Sequence, residues 1–110
     1  METLIQEFSD YLRMEKRNSP HTVSAYRRDL IRFSTELSGK TVDSVTTANI
    51  RNFLIFLRGQ GMSTSSVARS LSSIKSFFKY LCQDNQLKND PAIILETPKR
   101  WRKLPDVLTL

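Results

Sequence analysis

Apolar residues recur along the chain with the spacing of α-helices. In the first stretch, 2–16, they fall three and four residues apart, at Leu4, Ile5, Phe8, Tyr11 and Leu12. Similar intervals run through 20–37, 48–58 and 63–83, and no stretch of useful length alternates as a strand does. The pattern predicts an all-α chain, a compact bundle of four to five helices.

Turn and capping residues divide these stretches. Pro20 suits the first position of the second helix and Gly39 suits its end. The residues suited to N-cap positions are Ser19, Thr46 or Thr47, and Ser63. A last short helix is expected over 92–95. We expect residues 1–97 to form the helical domain and 98–110, which begins PKRWRKLP, to be a basic linker.

The predicted fourth helix has an unusual polar face. Serine occupies seven of the 14 positions from 63 to 76, although it is a middling helix former. On a helical wheel, the side opposite the apolar stripe collects Ser65, Arg69, Ser72, Ser73, Ser76 and Lys79. Short hydroxyl side chains allow close approach and can donate hydrogen bonds to phosphates or base edges. We interpret this face as a nucleic-acid surface; the alternatives are close packing against another helix and a serine bias without a role.

The second helix has a related polar side. Arg28 and Arg32 lie on it, with Arg27 on a flank. At its start, backbone N–H groups lie beside His21 and Thr22, and a helix N-terminus is a natural phosphate site. Two basic helix faces make a nucleic-acid partner more plausible than either face alone.

The charge of the chain points the same way. Seventeen Lys and Arg against 11 Asp and Glu give a net charge of +6 and a pI near 9.8. Three bases and four acids give residues 1–18 a charge of −1, so residues 19–110 carry +7. A basic body suggests a polyanion partner, although ordinary basic domains without one also exist.

Other kinds of function find little support. One cysteine, Cys82, cannot form an internal disulfide and fits a reducing cytoplasm, and neither a signal peptide nor a membrane span is expected. His21 has no metal-binding neighbours, no nucleophile elbow accompanies a Ser-His-Asp set, and no glycine-rich phosphate loop is present. Tyr11 and Tyr26 are expected in the core and Tyr80 half exposed, none among bases that would activate a phenol. We therefore predict no catalytic, metal or cofactor site.

Three segments together resemble the N-terminal core-binding domain of tyrosine recombinases, nearest the Xer-type and phage-integrase group. The family pattern T-x-x-x-Y-x-x-D-L-x-x-F is matched by Thr22, Tyr26, Asp29, Leu30 and Phe33. The pattern L-S-x-x-[RK]-x-F-[FY]-x-Y-L is matched by Leu71, Ser72, Lys75, Phe77, Phe78, Tyr80 and Leu81. A trailing D-P, P-K and L-P pattern is matched by Asp90, Pro91, Pro98, Lys99, Leu104 and Pro105.

The resemblance implies a SAM-like helical bundle that clamps one face of double-stranded DNA, with its second and fourth helices crossing the major groove. It implies that the catalytic residues lie in a separate C-terminal domain of the parent chain, and that other protomers join in a tetrameric synapse, where the first helix can contact a neighbour. Chromosome-dimer resolution and phage or mobile-element integration both remain open. The expected DNA contacts are Thr22, Arg27, Arg28, Thr64, Ser65, Ser66, Arg69, Ser72, Ser73, Lys79, Lys99, Arg100, Arg102 and Lys103.

Two alternatives belong to other classes of protein. A helix-turn-helix transcription regulator needs two helices joined by a tight turn, whereas a whole helix separates the two candidate groove helices. A SAM-like protein-interaction bundle would expose an apolar patch, whereas the free faces read mostly as Ser, Arg and Lys. Because Arg69 is expected outside the core, Arg69→Ala is expected to leave thermal stability nearly unchanged.

Overall fold

A computed structural model of the chain describes residues 1–96, which form four α-helices and no strand. In chain order the helices are α1, Glu2–Met14; α2, Pro20–Glu36; α3, Thr47–Gly59; and α4, Thr64–Gln83. A short 3-10 helix, Val42–Ser44, lies between α2 and α3. The predicted all-α bundle is confirmed. No helix within residues 1–96 has the length and apolar character needed to cross a membrane.

Side-chain caps fix the starts of three helices. Ser19 Oγ accepts a hydrogen bond from the backbone N–H of Thr22, which begins α2, with Pro20 as its first residue. At α3, Thr46 is the cap rather than Thr47, and it forms a capping box with Asn49. Ser63 caps α4 in the same way as Ser19 caps α2. These caps satisfy N–H groups that have no partner inside the helix, which is why the sequence located the helix starts.

The predicted short helix over 92–95 is wrong. The chain there makes turns, with hydrogen bonds three residues apart from Ile93 N–H to Asp90 O and from Leu95 N–H to Ala92 O. The Asp90 carboxylate also accepts from the Ala92 N–H at 2.9 Å, which supports a turn. Four residues are too few to repay helix nucleation, and burial of Ala92 and Leu95 holds the turn instead.

Five phenylalanine rings run through the core and link all four helices. Phe8 of α1 meets Phe77 of α4 at 5.6 Å between ring centroids, and Phe77 meets Phe78 at 5.4 Å. Phe78 meets Phe33 of α2 at 6.3 Å, and Phe33 meets Phe53 of α3 at 5.1 Å. All four pairs meet edge to face, a geometry that aromatic rings prefer.

Helices α2 and α4 run antiparallel and pack against each other. Arg32, in the second half of α2, reaches Met62 just before α4, whereas Asp29, one turn earlier in α2, contacts Arg69 and Ser73 farther along α4. The two helices that the sequence singled out therefore share one side of the bundle.

Residues 91–95 are fastened to the bundle by two side chains. Thr47 Oγ1 at the start of α3 donates to the carbonyl oxygen of Pro91 at 2.7 Å, and Lys75 Nζ of α4 donates to that of Leu95 at 2.8 Å. The predicted boundary at 97/98 and the basic linker lie outside the described residues.

Candidate nucleic-acid interface

One row of side chains runs along the outer side of α4. We call it the α4 stripe, and it consists of Ser65, Arg69, Ser72, Ser76 and Lys79. Ser65, Arg69, Ser72 and Lys79 are exposed, whereas Ser76 is half-buried. Successive members lie four or three residues apart, so they line up on one face over about 21 Å of helix. The stripe therefore combines hydroxyl groups with two cations.

Two of the predicted contacts on α4 are buried instead. Ser73 is 0% exposed, so its expected place on the polar side of the helical wheel is wrong, and Thr64, at the start of α4, is 9% exposed. Ser73 faces α2, because the helical turn places it on the flank of the stripe that α2 covers. Ser70 is buried as well, at 1% exposure. The burial of Ser70 and Ser73 fits the alternative interpretation of the serines, close packing against another helix, because a short side chain lets two helices approach closely.

A buried carboxylate joins the two helices. Asp29 of α2, whose side chain is 3% exposed, accepts from Arg69 Nε at 3.0 Å on Oδ2 and from Arg69 Nη2 at 3.1 Å on Oδ1. Ser73 Oγ lies 3.1 Å from Asp29 Oδ2 and 3.1 Å from the carbonyl oxygen of Arg69, so its single hydrogen is shared between them. We call these three residues the clasp.

The clasp changes what Arg69 is expected to contribute. The hydrogen bonds to Asp29 raise the pKa of the Arg69 guanidinium above its ordinary value; partial burial opposes this shift and the charge of Asp29 adds to it. Arg69 is thus the cation that pairs a buried acid, as well as a member of the α4 stripe. The expectation that Arg69→Ala leaves stability nearly unchanged does not fit this geometry.

The sequence offered a signal for the clasp that the wheel of α4 alone missed. Asp29 stands three residues after Tyr26 and next to Leu30, inside the apolar stripe of α2. An acid at such a position is buried, and a buried carboxylate needs a cation or several donors. Arg69 and Ser73 supply both.

The predicted DNA contacts on α2 do not all lie on the same side of the helix. Arg27 and Arg28 lie about 100° apart around the helix, and Arg28 is exposed. Arg28 lies on the same side of α2 as Arg32. Arg32 donates a hydrogen bond to Met62 Sδ at 3.2 Å, near the start of α4. This side of α2 therefore borders the α4 stripe. Arg27 lies on another side. Thr22 Oγ1 accepts from Ser19 Oγ at 3.0 Å within the cap of α2.

The sequence profile described as "Phage integrase, N-terminal SAM-like domain" matches residues 5–85. The chain belongs to this family. Its residues are 38% identical to tyrosine recombinase XerD of Oceanobacillus iheyensis over 99% of the chain, and 40% identical to XerD of Listeria innocua over 100%. Tyrosine recombinase XerC of Alcanivorax borkumensis is 36% identical over 94% of the chain. The chain spans 38%, 38% and 34% of the lengths of these relatives. The family resemblance predicted from the sequence is confirmed.

The remaining predictions for this SAM-like domain concern Ser66, Tyr80 and the basic linker. Ser66 is half-buried at the start of α4, where its N–H donates to Ser63 Oγ at 3.2 Å. Tyr80 is half exposed, as predicted, and burial raises the pKa of its phenol, with the charge of Asp84 adding to the shift. Lys99, Arg100, Arg102 and Lys103 lie outside the described residues.

The free faces of the domain are less uniformly polar than the sequence indicated. On the outer side of α3, Ile55 is 57% exposed and Phe56 is 38% exposed, and Ile93 and Ile94 project from the turn after α4. On α3, the expected polar surface is interrupted by these apolar side chains, although Arg51 is exposed there. Within residues 1–96, no group of three or more His, Cys, Asp or Glu side chains is placed to hold a metal ion.

Proposed function

We propose that the chain is the DNA-binding part of a site-specific tyrosine recombinase and grips one face of duplex DNA through α2 and α4. Family membership and the recombinase names of the relatives support this proposal. The catalytic residues would come from another part of the parent protein, and further recombinase protomers would complete the DNA complex.

The α4 stripe is the observation that carries the proposal. No Asp or Glu occurs between Asp43 and Asp84, so neither α3 nor α4 presents a carboxylate. The acid nearest the stripe in α2, Asp29, is buried and engaged in the clasp, so it faces away from a ligand. A major groove about 12 Å wide admits one helix, and a helix lined with serine can approach bases and phosphates closely.

A salt titration tests this function directly. The chain is mixed with a fluorescent duplex and the binding constant is measured by anisotropy over a range of salt concentrations. Contact with about six phosphates gives a slope of log K against log salt of about −5. A complex with duplex DNA that ignores salt, or no complex at all, contradicts the proposal.

Two lysines of α4 provide a matched pair for the same titration. Lys79 is exposed on the stripe, whereas Lys75 Nζ is engaged with the Leu95 carbonyl on another side. Lys79→Ala should reduce the magnitude of the slope by about 1, because one phosphate contact is lost. Lys75→Ala, measured well below its unfolding temperature, should leave the slope unchanged. Equal changes of the slope in the two variants would show that the total charge of the chain, rather than the α4 stripe, determines the affinity for DNA.

The exposed side of α3 supports a second role for another face. Ile55 and Phe56 expose apolar surface one turn after the exposed Arg51, and exposed apolar surface suits a protein partner better than DNA. We propose that this side faces protein within the recombinase assembly. A helix-turn-helix regulator receives no comparable support, since α3 separates α2 from α4 along the chain.

A further inference from the structure

The clasp uses only one edge of the Arg69 guanidinium. Its Nε and one N–H of Nη2 are directed to the two oxygens of Asp29. Both N–H groups of Nη1 and the second N–H of Nη2 donate to none of the described residues. The second N–H of Nη2 and one N–H of Nη1 are parallel and form another edge of the same plane. The side chain of Arg69 is 43% exposed against 3% for Asp29, so the bonded edge is closed and the opposite edge is open to a ligand.

The group that holds Arg69 is itself held firmly. Ser73 is fully buried and bonds both Asp29 Oδ2 and the carbonyl oxygen of Arg69. Arg69 is therefore anchored through both its guanidinium and its backbone. An arginine fixed in this way loses little conformational freedom when it binds, whereas Lys79 on the same stripe is exposed and free to rotate.

We propose that Asp29 and Ser73 are positioning residues, which present the open edge of Arg69 to a guanine in the major groove. The inference rests on the proposed function and names a contact within it. Two parallel N–H donors in one plane match the O6 and N7 acceptors of guanine, a pairing that adenine, with a donor at that position, does not offer. A phosphate also accepts two donors, and selection of preferred duplexes separates the two ligands.

Charge and positioning predict opposite effects for Asp29→Asn. If Asp29 acted only as a negative charge near DNA, its removal would raise the net charge of +6 by one and strengthen binding to every duplex. If Asp29 positions Arg69, the asparagine keeps one oxygen but replaces the other with an amide, which cannot accept from Arg69. Discrimination between bases should then fall even where general affinity rises.

The experiment selects preferred sequences from a pool of short duplexes with a randomised centre, using the full 110-residue chain. We expect the wild-type site to contain a guanine whose replacement by adenine weakens binding about tenfold or more. In Asp29→Asn this preference should shrink to about twofold, with binding to the unselected pool unchanged or stronger. Asp43→Asn removes the same charge from the exposed 3-10 helix and should keep the preference.

Two further variants test the same contact in case Asp29→Asn does not fold. Arg69→Lys retains the charge without the planar pair of donors, so it should lose the guanine preference and keep binding to the unselected pool. Ser73→Ala should weaken the preference in the same direction, by less. All variants are compared at a temperature well below their unfolding midpoints, determined by circular dichroism.

Each outcome has one meaning. If the wild-type chain binds no duplex, the proposed function fails. If it prefers a guanine and Asp29→Asn or Arg69→Lys prefers it equally, the DNA-binding function stands and the positioning role is overturned. If it binds DNA without any guanine preference, Arg69 contacts phosphate alone and the base-reading role is overturned.

Discussion

At the scale of single residues, Asp29 determines how α2 meets α4. A carboxylate that is 3% exposed must be paired or richly hydrogen-bonded, and its partners are 40 and 44 residues away in the chain. Sliding α4 by one turn along α2 would separate Asp29 from both partners. The clasp thus specifies one alignment of the two helices, which apolar contacts alone specify less sharply.

Arg69→Ala should therefore destabilise the domain. The truncation leaves the buried Asp29 with Ser73 as its remaining side-chain partner, and the expected loss is about 1–3 kcal/mol of unfolding free energy. Urea unfolding followed by circular dichroism measures it. Lys79→Ala removes an equally charged side chain that lies outside the clasp, and it should change stability by less than about 0.5 kcal/mol. A loss no larger for Arg69 than for Lys79 would mean that the pair with Asp29 contributes nothing.

At the scale of the helix, the serines of α4 serve different purposes according to position. Ser63 caps the helix, Ser70 and Ser73 are buried, and Ser65 and Ser72 lie on the exposed stripe. The caps were predictable because cap chemistry involves residues three apart. The burial of Ser73 was not predictable from α4 alone, because it depends on which flank α2 covers. The turn at 92–95 was mispredicted for a related reason, since tertiary contacts outweighed a local pattern of four residues.

Substitution at two of these serines should separate the roles. Ser63→Ala removes the acceptor for the Ser66 N–H, so we expect the free energy of unfolding to fall by about 1 kcal/mol, measured by thermal unfolding. Ser72→Ala lies mid-helix and exposed, and alanine is the better helix former, so stability should stay the same or rise slightly. Equal losses at both positions would argue that the hydroxyls act together rather than by position.

At the scale of the whole molecule, the phenylalanine chain through all four helices makes the domain one packed unit. Phe33 and Phe78 are both 0% exposed and connect α2 to α4 through the core. The all-α class followed from periodicity, because a 3.6-residue repeat leaves one apolar face per helix to bury. The order in which the rings meet could not be predicted, since it depends on helix crossing geometry.

The chain by itself should neither cleave nor join DNA. Burial raises the pKa of the Tyr80 phenol, which keeps it protonated, and a phenol needs a neighbouring base to become a nucleophile. Incubation with a nicked duplex, followed by denaturing electrophoresis, should show no covalent adduct. An adduct that survives denaturation would overturn the assignment of catalysis to another part of the parent protein, and Tyr80→Phe would test whether this residue is its source.

The two hydrogen bonds that fasten residues 91–95 also fix the position of this segment against the bundle. Thr47 and Lys75 hold the carbonyls of Pro91 and Leu95 from different helices, so this stretch cannot swivel on a single pivot. Residues 91–95 therefore move together with the helices, and a rotation of the bundle would carry Pro91 and Leu95 with it.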